Sequence, residues 1–307
     1  MRIAIFGVGA MGCLFGARLS PLADVTLIGR WPEQLRALHL GRLRIVYPDG
    51  RTGYASLQAT SRAESVGPVD VALVLTKSAR TADAARDAAL ILRPDGIAVT
   101  LQNGLGNDAI IAEHVGAERT ALGVTTEGAA TDGPGVLRYG GSGMTILSTR
   151  PGIDTQVRAL ADLFNRAGLP TEVVDDVSAL VWGKLAVNAA INPLTALLRV
   201  PNGALLESEW ARGLMAAAAR EVAAVAAAKG VALGVDDPAV HAEGVARQTA
   251  ANRSSMLQDV LRGVETEIEA ICGAVMREGE AAGVPTPVNT SLYWLVKALE
   301  ELHPGQV

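Results

Sequence analysis

Lys184, Asn188 and Asn192 recur at every fourth position of the stretch Val181 to Leu197 (VWGKLAVNAAINPLTAL), among almost entirely apolar neighbours. At about 3.6 residues per turn, positions i, i+4 and i+8 stack on one face of a helix. Leu185, Ala186, Val187, Ala189, Ala190 and Ile191 coat the remaining faces, and a helix of that kind belongs in a core. The polar stripe is therefore expected to face a cleft. Its ammonium and two carboxamides need partners there, because an unpaired buried polar group costs roughly 1 to 3 kcal/mol and a charge more. A polar ligand supplies them, with Lys184 as a proton donor whose pKa burial can lower toward the working range. A plainer reading sends Lys184 to the surface along its methylenes and lets Asn192 end the helix, since the residue before Pro193 is pushed away from the α region. Three polar residues on one stripe favour the site.

Length and composition narrow the setting. With 307 residues the chain accommodates two domains. The net charge of -5 leaves no basic footprint for nucleic acid or an anionic membrane. Cys13 and Cys272 have neither metal-ligand spacing nor the numbers for a disulfide framework, which points to a reducing cytoplasm. The N-terminal apolar run in MRIAIFGVGAMG is only a strand long, unlike a signal peptide. No apolar run approaches the 18 or so residues of a membrane span. Ala211 to Lys229, interrupted by Arg212, Arg220 and Glu221, reads as a packed helix closing at Gly230. The expected partner is a small molecule, bound by a monomer or a homodimer.

The elements that must position such chemistry divide the chain in two. Short β-rich runs at Ile3 to Phe6, Val25 to Ile28, Val71 to Leu75, Ile97 to Leu101 and Thr120 to Val124 alternate with helical patterns. That alternation implies parallel strands joined by helices. Directly after the first run comes Gly7-Val8-Gly9-Ala10-Met11-Gly12, followed by a helical pattern from Cys13 to Leu19. A strand before, a helix after and a second strand near residue 28 are the context in which this glycine pattern binds a dinucleotide, its pyrophosphate on the helix N-terminus. At the end of the second strand the chain reads Ile28-Gly29-Arg30, with no carboxylate before Glu33. A planar guanidinium suits a ribose 2'-phosphate, which favours NADP(H) over NAD(H). Lys77 and Asn103 follow two further apolar strands, at the sheet edge where ligands of open α/β sheets lie.

From about Asp176 onward, helical patterns dominate, dividing the chain into a dinucleotide-binding domain (1–175) and a helical substrate and catalytic domain (176–307). In Asn252 to Gly273 (NRSSMLQDVLRGVETEIEAICG), Ser255-x-x-Gln258 and Thr266-x-x-Glu269 both have capping-box spacing. Glu267 then occupies a first helical turn, where the helix dipole favours its charged form. A break is expected at Gly263, so that two bent segments present Ser255 and Glu267, and the second should end near Gly283. None of His39, His114, His241 and His303 stands in a strand-end or cleft-like setting, which leaves Lys184 as the better acid.

The set GVGAMG, LTK, QNGLG, WGKLAVNAAINPLTAL, PNG at Pro201 to Gly203 and SSMLQDVLRGVETEIEAICG resembles the ketopantoate reductase family, in order and over nearly the whole chain. The resemblance implies a Rossmann-type α/β domain followed by an all-α domain like that of 6-phosphogluconate dehydrogenase. It also implies an activity: NADPH-dependent reduction of 2-dehydropantoate to pantoate, on the route to pantothenate and coenzyme A. Carried over motif by motif, Lys184 and Glu267 match the catalytic pair, and Asn188, Asn192, Asn252 and Ser255 match substrate contacts. Gly7, Val8, Gly9, Ala10, Met11, Gly12, Arg30 and Lys77 match cofactor contacts, with Glu267 beside them and Asn103 between nicotinamide and substrate. Two departures from the family pattern, Val264-Glu265 and Ile271-Cys272-Gly273, leave room for a paralogue reducing another 2-oxo acid or an imine. A non-catalytic NADP(H)-sensing module is a third reading, weakened by Lys184 and Glu267 because sensing needs only the first half.

Overall fold

The computed structural model describes residues 1–302, so His303 lies outside the described residues. The chain separates into two compact units: Met1–Gln102 with Asn107–Val177, and Asn103–Gly106 with the chain from Ser178 onward.

The first unit runs β1 (Arg2–Phe6), α1 (Ala10–Leu19), β2 (Asp24–Ile28), α2 (Pro32–Leu40), β3 (Leu43–Val46), β4 (Thr52–Ala55), β5 (Gln58–Thr60) and β6 (Val69–Val74). It continues with α3 (Thr81–Ile91), β7 (Leu92–Thr100), α4 (Asn107–Val115), β8 (Thr120–Thr125), β9 (Gly128–Thr131), β10 (Val136–Gly141), β11 (Thr145–Ser148), α5 (Asp154–Arg166) and β12 (Thr171–Val174). Eight strands form one sheet in the order β12-β11-β8-β7-β6-β1-β2-β5. The five strands expected from sequence are all present and pair in parallel. Successive residues of a strand point to opposite faces, and here both faces are covered. Ile3 and Ile5 join Val71, Leu73, Ile97 and Val99 in one core cluster. Ala4 and Phe6 join Ala72, Val74 and Ala98 in another, against residues of α3 and α4. Burial on both sides is why these strands read as apolar runs rather than alternating ones.

Sequence patterning missed the other seven strands. Two extend the large sheet beyond β8, with β11 antiparallel to it, and β5 extends it at the other edge, parallel to β2. Another four form a separate small sheet, β4-β3-β10-β9. Its segments TGYA and VLRYGG are short, glycine-bearing and half-exposed, so neither periodicity nor apolar content marks them.

In the large sheet, chain order reverses beside β1, which has β2 on one side and β6 on the other. Ligands of open α/β sheets bind at such a reversal. The glycine turn follows β1 here. Gly7 has φ +129°, and a Cβ on it would stand 2.6 Å from the carbonyl oxygen of Leu75. A Cβ on Gly12 would stand 1.9 Å from the carbonyl oxygen of Gly7. One on Gly9 would meet nothing within 4 Å. Two glycines let backbone pack on backbone, and the third leaves open space at the start of α1.

The second unit comprises α6 (Ser178–Leu198), α7 (Glu209–Ala228), α8 (Pro238–Gln248), α9 (Ser255–Leu261), a π-helical turn at Glu269–Gly273, α10 (Ala274–Ala282) and α11 (Pro287–Leu302). Helix α6 packs on α7, α8, α9 and α11. Alanines permit close approach: Ala186, Ala189, Ala190 and Ala196 of α6 share a core with Ala211, Ala218, Ala219 and Ala226 of α7. The helix does not end at Asn192. It passes through Pro193 to Leu198, and the Thr195 hydroxyl bonds back to the carbonyls of Ile191 and Asn192 at 3.0 Å each. The break near Gly263 is present, with φ +64°, and α10 ends at Gly283 in the left-handed region. Among the described residues, no helix is long and apolar enough to cross a membrane.

The glycine turn generates a contrast in stability. Gly12→Ala forces backbone apart and should cost about 3 kcal/mol, lowering the melting temperature by about 6 to 12 °C. Gly9→Ala loses only a good N-cap residue, under about 1 kcal/mol. Thermal melts compare them, and equal melting temperatures contradict this packing.

Candidate active site

The polar stripe of α6 is set by its neighbours. Trp182, Leu185, Ala186, Ala189 and Ala190 turn into the core, which rotates Lys184 and Asn188 to a half-buried face and leaves Asn192 6% exposed. Burial pushes the Lys184 ammonium down to about 8, and the negative charge of Glu267 opposes that fall. Among the described residues, the side-chain amides of Asn188 and Asn192 hydrogen-bond to no other protein group.

Glu267, also 6% exposed, is fixed from several directions. Its carbonyl oxygen accepts from the N–H groups of Ala270 and Ile271 as the π turn begins. The segment Asn103–Gly106 lies against that same turn. Leu105 donates its N–H to the Ala270 oxygen at 3.0 Å. Gly104, at φ +84°, comes so close that a Cβ would stand 2.2 Å from the same oxygen. This contact brings Asn103 Nδ2 to Glu267 Oε2 at 3.1 Å. The second unit therefore assembles a carboxamide, a carboxylate and a lysine.

Two sequence expectations require correction. The N-cap of α9 is Ser254, not Ser255: Ser254 is extended at ψ 158° and its hydroxyl accepts the Leu257 N–H at 3.0 Å, while Ser255 is exposed as the first helical residue. The Thr266 and Glu269 pair is not a reciprocal capping box either. Thr266 Oγ1 accepts from Ile268 N at 3.2 Å, but the Thr266 N–H donates to Glu300 Oε1 at 2.8 Å. Glu269 turns instead to Arg277 and Tyr293. Among the described residues Asn252, like Ser255, is exposed and not gathered into the Lys184 cluster by any side-chain contact.

Sequence reasoning also missed a buried pair. The hydroxyls of Thr195 and Ser254 lie 2.7 Å apart and tie α6 to the start of α9, which fixes where Asn252 and Ser255 stand. Thr195 continues the polar stripe three residues past Asn192. That continuation was the available signal.

In the first unit, Gly9 leaves free space at the N-terminus of α1, whose first N–H groups face no Cβ there. An open cradle beside unpaired helical donors fits a pyrophosphate. Lys77 stands three residues beyond β6, half-buried. Arg30 is exposed beyond β2 and pairs with Asp83 at 3.3 Å and Asp87 at 3.9 Å. A phosphate placed at this guanidinium would compete with two resident carboxylates. His39, His114 and His241 are all exposed. Both cysteines are buried, and burial pushes the Cys13 thiol up to about 12 and raises that of Cys272.

A glycine-turn sheet unit and a helical unit carrying a lysine and carboxylate define a two-part, dinucleotide-linked oxidoreductase. The chain belongs to the ketopantoate reductase family. The family model described as ketopantoate reductase PanE/ApbA matches residues 3–152, and that for its C-terminal part matches residues 176–300. The 2-dehydropantoate 2-reductase of Halobacterium salinarum is 39% identical over 300 residues, covering 97% of this chain and 98% of its own. Among solved structures, D-mandelate dehydrogenase with NADH and anilino(oxo)acetate has a TM-score of 0.93 at 31% identity, covering 98% of this chain and 99% of its own. A PanE/ApbA family ketopantoate reductase from Ralstonia eutropha has a TM-score of 0.89 at 32% identity, with the same coverage of both chains.

Because Glu267 holds the Lys184 pKa up against burial, Glu267→Gln should move the lysine titration below its present value of about 8. Amine labelling across pH, read by peptide mass spectrometry, measures it. An unchanged or higher midpoint contradicts the coupling.

Proposed function

We propose that this protein reduces 2-dehydropantoate to pantoate with NADPH, in the cytoplasm, with residues 1–175 binding dinucleotide and 176–307 serving substrate and chemistry. The observation that carries this reading is the Lys184 ammonium, lowered to about 8 beside Glu267, on one stripe with two side-chain amides that, among the described residues, hydrogen-bond to no other protein group. Gly7 to Gly12, Arg30 and Lys77 would hold the cofactor, which supplies a hydride to the C2 carbonyl carbon. Lys184 stabilises the negative charge growing on the carbonyl oxygen and gives it a proton. Glu267, gripped by Asn103, keeps the ammonium aimed. Asn188 and Asn192 bond the terminal hydroxyl of the substrate. By the family resemblance Ser255 would stand near its carboxylate and Asn252 would be a further substrate contact, though both are exposed.

Substrate choice follows from the asparagines. A site built to bond a hydroxyl strongly rejects analogues lacking one, because its amides are left unpaired. A second reading, reduction of another 2-oxo acid, is favoured by the TM-score of 0.93 to D-mandelate dehydrogenase. One experiment separates them. NADPH and NADH oxidation is followed spectrophotometrically with 2-dehydropantoate, 2-oxoisovalerate, phenylglyoxylate and no substrate. The proposal expects turnover on 2-dehydropantoate with NADPH preferred, and a loss of about 10²- to 10⁴-fold in kcat in Lys184→Ala while NADPH still binds. Faster turnover of phenylglyoxylate supports the second reading, and near-normal turnover of Lys184→Ala removes the lysine from the chemistry.

A further inference from the structure

The first unit contains a cavity of about 390 Å³ that the proposed reaction does not use. It is lined by Leu14 and Arg18 of α1, by Tyr47, Tyr54 and Tyr139 of the small sheet's side and by Arg166 at the end of α5. Its size falls in the range of small-molecule pockets. Two features of the lining specify a ligand.

The first is charge. The chain is net acidic at -5, yet this lining has two arginines and no aspartate or glutamate. Each arginine stands in the last turn of its helix, where the helix dipole favours a cation. That accounts for their positions but gives their N–H groups no acceptor. Among the described residues neither pairs with a carboxylate, whereas Arg158 on the same helix as Arg166 binds Asp154 at 2.9 Å. Behind the wall, Glu127 is already engaged by the Gly143 N–H at 3.1 Å and the Tyr139 hydroxyl at 3.4 Å.

The second feature is a preformed aromatic wall. Tyr47 and Tyr139 meet edge to face with centroids 6.0 Å apart. The Arg18 guanidinium lies 5.2 Å from the centre of the Tyr139 ring. Gly53 makes room, since a Cβ there would stand 3.1 Å from the Tyr47 ring. Stacking and packing hold these groups before any ligand arrives, which lowers the entropic cost of binding.

We propose that this cavity binds a small organic anion, a carboxylate or phosphate monoester on a flat apolar body, and acts as an effector site on the dinucleotide turn. The guanidinium forks take the anion. The tyrosines take the flat face. Helix α1 carries the message: its N-terminus follows the glycine turn, and Leu14, Ala17 and Arg18 line the cavity roughly 6 to 12 Å further along its axis. Only this effector role rests on the dinucleotide reading.

Calorimetry on the full chain tests it with three probes sharing a ring system: 2-naphthoate, 1-naphthyl phosphate and the neutral 2-naphthalenemethanol. Each is titrated with and without saturating NADPH. The anions should bind saturably in both cases, and about tenfold or more tighter than the alcohol. The stronger of the two anions identifies the class. Arg166→Gln and Arg18→Gln should each bring the anions toward the level of the alcohol, and Tyr139→Leu should weaken all three probes. Thermal melts verify folding, and Arg166, being exposed, keeps the test valid if Arg18→Gln unfolds. Alcohol binding equal to the anions, wild-type anion binding by both arginine variants, or simple competition with NADPH overturns the site. Binding that leaves NADPH affinity unchanged overturns the effector role. A wild-type protein that fails to bind NADPH without any probe refutes the dinucleotide reading instead.

Discussion

The burial of one ammonium governs the second unit. Lys184 sits on a helix whose other faces are committed to the core, so its charge leaves bulk water whenever α6 packs. Removing an ammonium from water costs several kcal/mol unless a counter-charge and hydrogen bonds repay it. Glu267 supplies the counter-charge. The carboxylate is itself buried and must be held, which Asn103 and the turn at Glu269–Gly273 accomplish. Desolvation wins over the carboxylate's attraction, and the lysine is left titrating near neutrality rather than near its ordinary value.

Much surrounding structure serves that balance. The small side chains of α6 and α7 let the helices approach closely, which fixes the rotation of the stripe. Gly104 allows a loop to touch the turn carrying Glu267, because any side chain there collides with Ala270. The Thr195 and Ser254 hydroxyls anchor the start of α9 to the far end of α6. In the first unit the same economy of side chains operates at the glycine turn, where Gly7 and Gly12 bring backbone onto backbone and Gly9 leaves the opening. Sites in both units thus depend on positions where a side chain is missing.

The sequence made these sites legible to different depths. The stripe at Lys184, Asn188 and Asn192 and the turn at Gly7 to Gly12 were visible because each has a fixed spacing tied to one local geometry. The five parallel strands were visible because burial on both faces makes them continuous apolar runs. The small sheet was not, since its pairing of Leu43–Val46 with Val136–Gly141 joins segments roughly ninety residues apart that carry no strong pattern. Caps were misplaced where competing partners lay far away in sequence: Glu300 displaced Glu269 at the Thr266 N–H, and Thr195 engaged Ser254. Asn103 was legible as a turn residue, but its bond to Glu267 spans 164 positions and follows only from the fold.

The central claim is that Lys184 delivers the proton from an ammonium whose pKa burial has lowered to about 8. The pH dependence of kcat/KM for NADPH-dependent reduction tests it most directly. An acid with that pKa is protonated below it, so the rate constant should be level on the acidic side and fall about tenfold per pH unit above about 8. The reverse oxidation, which needs the neutral amine, should rise through the same midpoint. A reduction rate that stays level, or rises, through pH 8 contradicts the account.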